Sequence, residues 1–284
     1  FGPVLHIVRY RRADLGKVID TINGTGYGLT LGVHSRIDET IDFIVSRAHV
    51  GNIYVNRNIV GAVVGVQPFG GEGKSGTGPK AGGPLYLKRL QKQAAPLLQR
   101  MRHSNPALDA LMGWMQANGH GDVAVLAEGY TTGTLDGISL ELPGPTGERN
   151  ALGFVPRGAL LCAAAGVKGL LNQLAAVLAT GNRALVLADS RDQVLGSLPP
   201  EVKAFVRFIG EAELDGVEIQ MALVDSGVKG NLQAKLAARA GAIVGIVDTQ
   251  PDQPVALWRL VAERALCVNP TAAGGNASLM TLSL

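Results

Sequence analysis

The amino-acid sequence predicts an α/β protein, in which strands and helices alternate along the chain. Apolar strand-like runs alternate with amphipathic helical segments in residues 4–57, and the alternation returns in residues 158–266. The connections are short, which favours parallel strands joined by right-handed crossovers. Hydrophobic residues make up 46% of the 284 residues and charged residues 17%, with 38 glycines, a balance that suits a folded protein rich in turns.

The first segment is predicted to contain three strands and two helices. Residues 4–10 form an apolar run that we expect to be a buried strand. A helix follows, with Asp14 as its N-cap and Gly24 and Gly26 at its end. Its apolar residues lie at helical spacing: Leu15, Val18, Ile19 and Ile22. The next strand, helix and strand are expected at residues 29–34, 38–49 and 52–57.

Residues 65–83 interrupt this alternation with eight glycines in nineteen residues. One interpretation is a flexible linker. The other is an ordered loop, in which glycines allow the backbone to approach a ligand closely. The interspersed Phe69, Lys74 and Lys80 favour the ordered loop, because flexible linkers rarely contain such residues.

The second segment is predicted to begin with helices and then return to α/β order. Residues 86–116 are helix-rich, and a domain boundary is expected between about 90 and 120. Ser104, Asn105 and Pro106 form a helix start signal, and the residues 108–115 place apolar side chains on one face. Short strand-like runs are expected over 122–158, followed by strand 158–163, helix 167–180, strand 183–188, helix 201–209, strand 217–224, helix 231–240, strand 242–247, helix 254–264 and a strand near 266.

Composition and charge exclude several classes of protein. The net charge is only +3 and is dispersed, whereas a nucleic-acid-binding surface requires a concentrated basic face. Cys162 and Cys267 lie far apart in apolar surroundings, so we expect no disulfide and a reducing, cytoplasmic location. The five histidines show no metal-ligand spacing, and polar residues interrupt the most apolar stretch, 159–181, so neither a metal nor a membrane span is expected. A chain that opens on Phe1 inside a strand-like run is expected to be a fragment.

Four stretches of the sequence resemble the aldehyde dehydrogenase superfamily in the same order along the chain. They are FGPVLHIVRY (1–10), GYGLTLGVHS (26–35), GNIYVNR (51–57) and QPFGGEGKSGTGPKAGGP (67–84). The last two are most similar to the glutamate-semialdehyde branch, as found in bifunctional proline-catabolic enzymes. The resemblance to those enzymes extends through residue 284, including the terminal TAAGGNASLMTL.

The resemblance implies NAD-dependent oxidation of L-glutamate γ-semialdehyde to glutamate. In that family a cysteine thiolate attacks the aldehyde, hydride passes to NAD, and a glutamate-activated water releases the product. The implied nucleophile and base lie upstream of Phe1, as does a proline dehydrogenase domain with its FAD. No catalytic residue is therefore assigned here, and the chain alone is expected to be inactive.

The resemblance also assigns binding residues. Gly82 and Gly83 match the positions that hold the substrate's α-carboxylate, for which successive backbone N–H groups are suitable. Phe69 matches an aromatic residue that packs along the aldehyde's methylene chain, and Phe1 matches a residue near the nicotinamide. The alternatives are an ordinary glycine turn, a core phenylalanine and a frayed terminus. We refer to residues 67–84 as the anchor loop.

Four further residues are candidates for a role. Asn56 and Arg57 lie beside the anchor loop and could either polarise the substrate or brace the turn, and we expect them to brace the turn. Cys162, in the apolar run ALLCAAA, is expected to be an inert thiol, because apolar burial raises a thiol pKa. Cys267 is given the same interpretation.

Residues 157–190 resemble the cofactor-binding start of an aldehyde dehydrogenase, but they depart from its functional positions. The family's Lys-Pro-x-Glu is replaced by Leu187, Ala188, Asp189 and Ser190, and its oxyanion asparagine by Ala164. We therefore expect a degenerate dinucleotide-binding domain that no longer binds NAD. Retained weak NAD binding is the alternative.

The expected organisation is a catalytic-domain portion, residues 1–95, and a Rossmann-like portion, residues 96–284, which we call the lid module. The resemblance implies that the lid module covers the dehydrogenase site, replaces contacts of a second subunit and helps enclose the passage between two active sites. Residues 270–284 are expected to dock as an apolar tail. The implied partners are the upstream domains of the same polypeptide. A free-standing, non-catalytic binding module is the alternative function.

Overall fold

The computed structural model describes residues 2–60, 62–91, 101–103, 105–187 and 196–269. Some sequence-based expectations fall outside these ranges and stay predictions. They are the nicotinamide contact of Phe1, the contribution of Ser104 to a helix start, the comparison at residues 188–190, and the docking tail 270–284.

Helices and strands alternate along the described chain. The helices are α1 (Leu15–Gly24), α2 (Asp38–Arg47), α3 (Pro84–Leu90), α4 (Pro106–Ala117), α5 (Gly121–Gly133), α6 (Val167–Ala179), α7 (Pro200–Lys203) and α8 (Lys229–Ala238). The strands are β1 (Tyr27–Gly28), β2 (Thr30–Val33), β3 (Asn52–Val55), β4 (Glu72–Gly73), β5 (Ser139–Leu142), β6 (Arg149–Pro156), β7 (Ala159–Ala163), β8 (Arg183–Leu187), β9 (Val206–Ile209), β10 (Met221–Asp225), β11 (Gly245–Thr249) and β12 (Val261–Val268). In the described ranges no helix is long and apolar enough to cross a membrane.

One five-stranded sheet, with the strand order β2-β3-β12-β6-β5, joins distant parts of the chain. β2, β3 and β12 are parallel, and β6 and β5 are added antiparallel. In this register Ile53 of β3 stands opposite Leu266 of β12. Strands from both sides of the predicted boundary between residues 95 and 96 therefore share one sheet, while the boundary itself stays a prediction.

The second five-stranded sheet has the order β11-β10-β7-β8-β9 and is entirely parallel. The chain enters at the central strand β7, proceeds to the edge at β9, and then returns to the other side of β7 at β10. This is the strand order of a dinucleotide-binding Rossmann sheet. α4, α5 and α6 pack on one face and α8 on the other. The expected α/β class and the Rossmann-like part are confirmed.

The start of α4 follows the sequence signal closely. The side chain of Asn105 accepts hydrogen bonds from the N–H groups of Ala107 and Leu108, both at 3.1 Å, and Pro106 occupies the first turn. The apolar face is buried as predicted, at Leu108, Leu111, Met112 and Met115. The local pattern sufficed here because capping and helical spacing agree.

The expected buried strand at residues 4–10 is wrong. The segment pairs with no strand among the described residues, and its apolar side chains are exposed, with Leu5 at 85% and Ile7 at 81%. A buried strand requires neighbouring strands for its backbone groups and an apolar cover for its side chains. The described part of the chain provides neither.

Three later elements also differ from the expectation. Residues 121–133 form α5 instead of strand-like runs, because Val123, Ala124, Ala127 and Tyr130 make a helical face that packs on α4 and α6. The helix expected at 201–209 ends at Lys203, and β9 follows. The helix expected at 254–264 is a short 3-10 turn followed by β12, whose burial on both faces removes the alternation that identifies a strand.

Candidate functional site

The glycine-rich anchor loop is ordered by backbone pairing with itself and with β1. Phe69 and Ala81 exchange two hydrogen bonds, at 3.0 and 2.9 Å, which bring the two limbs of the loop together. β4, within the loop, pairs antiparallel with β1. The loop therefore has the fixed backbone that the ordered-loop interpretation requires, and Phe69 lies next to the Gly82–Gly83 turn.

Gly82 and Gly83 are glycines for different reasons. Gly82 has φ +72°, a conformation that L side chains rarely adopt, and open space surrounds its missing side chain. A Cβ at Gly83 would lie 2.9 Å from Oε1 of Glu263 and 3.1 Å from the carbonyl oxygen of Lys80. The Gly83 N–H donates to that same carbonyl at 3.1 Å, so in this conformation the turn itself uses one of the two amides.

The buried side chain of Lys80 stabilises the conformation of the anchor loop, a role that was not evident from the sequence. Its side chain is 2% exposed, and Nζ donates to Oδ1 of Asn52 at 2.9 Å and to the Gly70 carbonyl. Asn52 in turn donates from Nδ2 to the Pro68 carbonyl at 2.9 Å. Burial lowers the pKa of Lys80 to about 8, while the carboxylates of Glu263 and Glu72 oppose that shift. The only signal in the sequence was a lysine within a glycine-rich run.

Two consecutive residues of β12, Glu263 and Arg264, contact the anchor loop. The Lys80 N–H donates to Oε2 of Glu263 at 2.7 Å. Arg264 forms an ion pair with Glu72 at 2.9 Å, and both side chains are largely buried. Burial raises the pKa of Glu263, with the Lys80 N–H and the charges of Lys80 and Arg157 acting in the opposite direction. These contacts are not evident from the sequence, because they join residues about 190 positions apart.

Asn56 and Arg57 make bracing contacts. Asn56, at φ +56°, bonds through its side chain to the N–H and carbonyl of Ser35, both at 3.0 Å. Arg57 donates to Oε1 of Glu148 at 2.8 Å and to Sγ of Cys267 at 3.1 Å. The Arg57 contacts attach the end of β3 to the lid module, and the Asn56 contacts attach it to the end of β2.

Both cysteines are buried, and Sγ of Cys267 accepts a hydrogen bond from Nε2 of Gln67, the first residue of the anchor loop, at 3.3 Å. Cys162 is inside β7, where burial raises the pKa of its thiol to about 12. Burial also raises the pKa of Cys267, although Arg57 acts to lower it. Neither environment favours a thiolate. Within the described ranges, no group of three His, Cys, Asp or Glu side chains is placed to hold a metal ion.

The Rossmann-like sheet has a crevice at the carboxyl ends of β7 and β10, where dinucleotides bind in working members of this fold. Asp225 lies there, 5% exposed, and accepts a hydrogen bond from the Ala165 N–H at 3.3 Å. Its Oδ2 is 3.2 Å from the Cβ position of Gly169, in the first turn of α6. A Cβ at Gly227 would lie 2.9 Å from the side chain of Ala165. A carboxylate and closely packed backbone thus occupy the place where a pyrophosphate would sit, so the residues present do not fit NAD.

The described chain combines an ordered glycine-rich loop, at the edge of a mixed sheet, with a Rossmann-like parallel sheet. In comparison with known proteins, residues 1–94 match the aldehyde dehydrogenase family. The chain is 47% identical to bifunctional protein PutA of Salmonella typhimurium over 99% of its own length, and 44% identical to that of Rhizobium meliloti. The chain spans 23% and 24% of those relatives.

Two further comparisons cover different parts of the chain. A 1-pyrroline-5-carboxylate dehydrogenase of Geobacillus thermodenitrificans is 47% identical over 31% of this chain, which corresponds to 16% of that protein. The solved structure of proline utilization A (PutA) from Corynebacterium freiburgense matches 90% of this chain and 24% of its own, with a TM-score of 0.61 and 24% identity. Over nearly its whole length the chain is therefore similar to a part of PutA, and its residues 1–94 match the aldehyde dehydrogenase family.

Proposed function

We propose that this chain is the C-terminal part of an NAD-dependent L-glutamate γ-semialdehyde (1-pyrroline-5-carboxylate) dehydrogenase within a longer bifunctional polypeptide of proline catabolism. The observation that carries the proposal is the ordered anchor loop, with Phe69, Gly82 and Gly83 together at one end. Curated relatives with this activity in their names match 31% of the chain, and the aldehyde dehydrogenase family matches residues 1–94, which contain the loop. The upstream domains, including a proline dehydrogenase with FAD, are the proposed partners.

In this proposal the chain binds and positions substrate, and other segments perform the chemistry. Backbone N–H groups at Gly82 and Gly83 bind the α-carboxylate, and the Gly83 N–H then exchanges its hydrogen bond to the Lys80 carbonyl for one to the substrate. The Phe69 ring packs along the methylene chain. NAD, bound by an upstream domain, accepts the hydride. The nucleophilic cysteine and the general base also belong to upstream segments, since both cysteines of this chain are buried in environments that disfavour the thiolate.

The exposed apolar run at residues 4–10 supports the proposed upstream partner. Val4, Leu5, Ile7 and Val8 are between 71% and 85% exposed. A cluster of this kind marks a surface that another segment covers. The pairing of β12 with β3 supports the lid role, because the module at residues 96–284 thereby adds strands to the sheet of residues 1–95.

The overall assignment is tested by measuring NADH formation from glutamate semialdehyde, with this chain and with the longer polypeptide that contains it. We expect turnover only from the longer polypeptide. Turnover by this chain alone would contradict the assignment of the nucleophile to an upstream segment.

Gly82→Val in the longer polypeptide is expected to raise KM for glutamate semialdehyde by about 10- to 100-fold, because the substrate carboxylate loses a charge-assisted hydrogen bond. A β-branched residue cannot hold φ +72°, so the amide turns away from the substrate. Steady-state kinetics with NAD saturating would measure the change. Gly119→Val is the matched control, since Gly119 has φ +81° and open space around it, and it lies in the connection between α4 and α5. An equal KM in both variants would remove the anchor role.

We expect calorimetry of this chain with NAD, at concentrations up to about 1 mM, to show no binding. The carboxylate of Asp225 at the start of α6 repels a pyrophosphate. A dissociation constant below about 1 mM would instead support the alternative of retained weak binding.

A further inference from the structure

Glu263 is a buried carboxylate on β12, on the strand face where the residues two positions before and after it are apolar and buried. Its side chain is 7% exposed, and Val261 and Ala265, two residues away on either side, belong to the core cluster that also contains Leu85 of α3. Burying a carboxylate is costly unless hydrogen bonds or charges compensate for the lost water. The groups that compensate for the buried charge of Glu263 are therefore held firmly in position.

Both oxygens of Glu263 face the anchor loop. Oε2 accepts the hydrogen bond from the Lys80 N–H at 2.7 Å. Oε1 lies 2.9 Å from the Cβ position of Gly83. A hydrogen bond from the Gly83 N–H to the Lys80 carbonyl closes the turn formed by residues 80–83. One carboxylate thus contacts both ends of the turn that contains Gly82.

Arg264 provides a second attachment on the other limb of the loop. Its ion pair with Glu72, at 2.9 Å, is only 11% and 20% exposed at the two side chains, so solvent screens it weakly. Glu72 lies in β4, which pairs with β1. Glu263 and Arg264, consecutive residues of β12, therefore contact the two limbs of the anchor loop. The pairing register of β12 with β6 fixes the positions of these two residues.

We propose that Glu263 is a positioning residue for the substrate carboxylate: from the lid module, it sets the conformation of the Lys80–Gly83 turn and hence the direction of the Gly82 and Gly83 amides. This inference rests on the proposed function of the anchor loop and goes beyond it, because it places a determinant of substrate binding in the Rossmann-like module. The lid then does more than cover the site. It completes the geometry of the anchor.

The test uses Glu263→Ala, which removes the acceptor, and Glu263→Gln, which keeps one oxygen for the Lys80 N–H. Glu141→Gln is the matched control, since Glu141 pairs with Arg149 in the same sheet but is remote from the loop. Amide hydrogen exchange of residues 80–85 is measured in this chain. We expect Glu263→Ala to accelerate exchange at Lys80 and Gly83 by about tenfold, Glu263→Gln by less, and the control not at all.

The same variants in the longer polypeptide give the functional readout. We expect Glu263→Ala to raise KM for glutamate semialdehyde about tenfold while kcat and KM for NAD change little, with partial rescue in Glu263→Gln. Unchanged exchange in Glu263→Ala would overturn the proposal. Faster exchange with unchanged KM would also overturn it, and a raised KM in Gly82→Val would then show that the anchor function itself survives.

Discussion

Leu266→Ala is expected to lower the free energy of unfolding by about 2–5 kcal/mol, the range for removing a buried leucine side chain. Leu266 is 2% exposed and lies on β12, yet its apolar neighbours belong to the first part of the chain. They are Val33, Ile41, Val45 and Ile53, from β2, α2 and β3. The loss is large because the core under α2 is closed by a strand more than 200 residues away.

Urea denaturation of the wild type and the variant would measure this change. Val125→Ala serves as the control, because Val125 on α5 is 74% exposed and its truncation should alter stability by less than about 0.5 kcal/mol. A loss of less than about 1 kcal/mol in Leu266→Ala would mean that β12 does not close this core.

The stability of the wild type is expected to rise by about 2 kcal/mol relative to Lys80→Met between pH 7.5 and pH 10, given a Lys80 pKa of about 8 in the folded chain and about 10.5 in the unfolded chain. Between these two pKa values the unfolded state binds more protons at Lys80 than the folded state, so raising the pH favours folding. The neutral amine still donates to Asn52 and to the Gly70 carbonyl.

Denaturation curves of both proteins at several pH values in this window give the difference directly, and groups common to both proteins cancel. Lys17→Met is a suitable control, since the Lys17 side chain is 83% exposed and forms an ion pair with Asp14 at the protein surface. Parallel pH profiles for wild type and Lys80→Met would show that Lys80 is charged in the folded chain throughout the window.

The anchor loop shows how far the sequence determined the candidate site. The glycine-rich run and its resemblance to a family identified Phe69, Gly82 and Gly83, and the positive φ of Gly82 gives a physical reason for one of these glycines. The sequence did not reveal Lys80, Glu263 and Arg264 as the residues that hold the loop. Their roles depend on contacts between elements far apart in sequence, and local periodicity contains no information on such contacts.

The sequence alone determined the α/β class, the helices α1, α2, α4 and α6, and the approximate positions of the strands β7, β8, β10 and β11, because these depend on local spacing. Only the tertiary structure decided that β12 joins the first sheet, that residues 254–264 are not a helix, and that residues 4–10 lie exposed. The physical reason is that a strand is stabilised by partners on both sides, and an apolar run is buried only where another part of the chain is available to cover it.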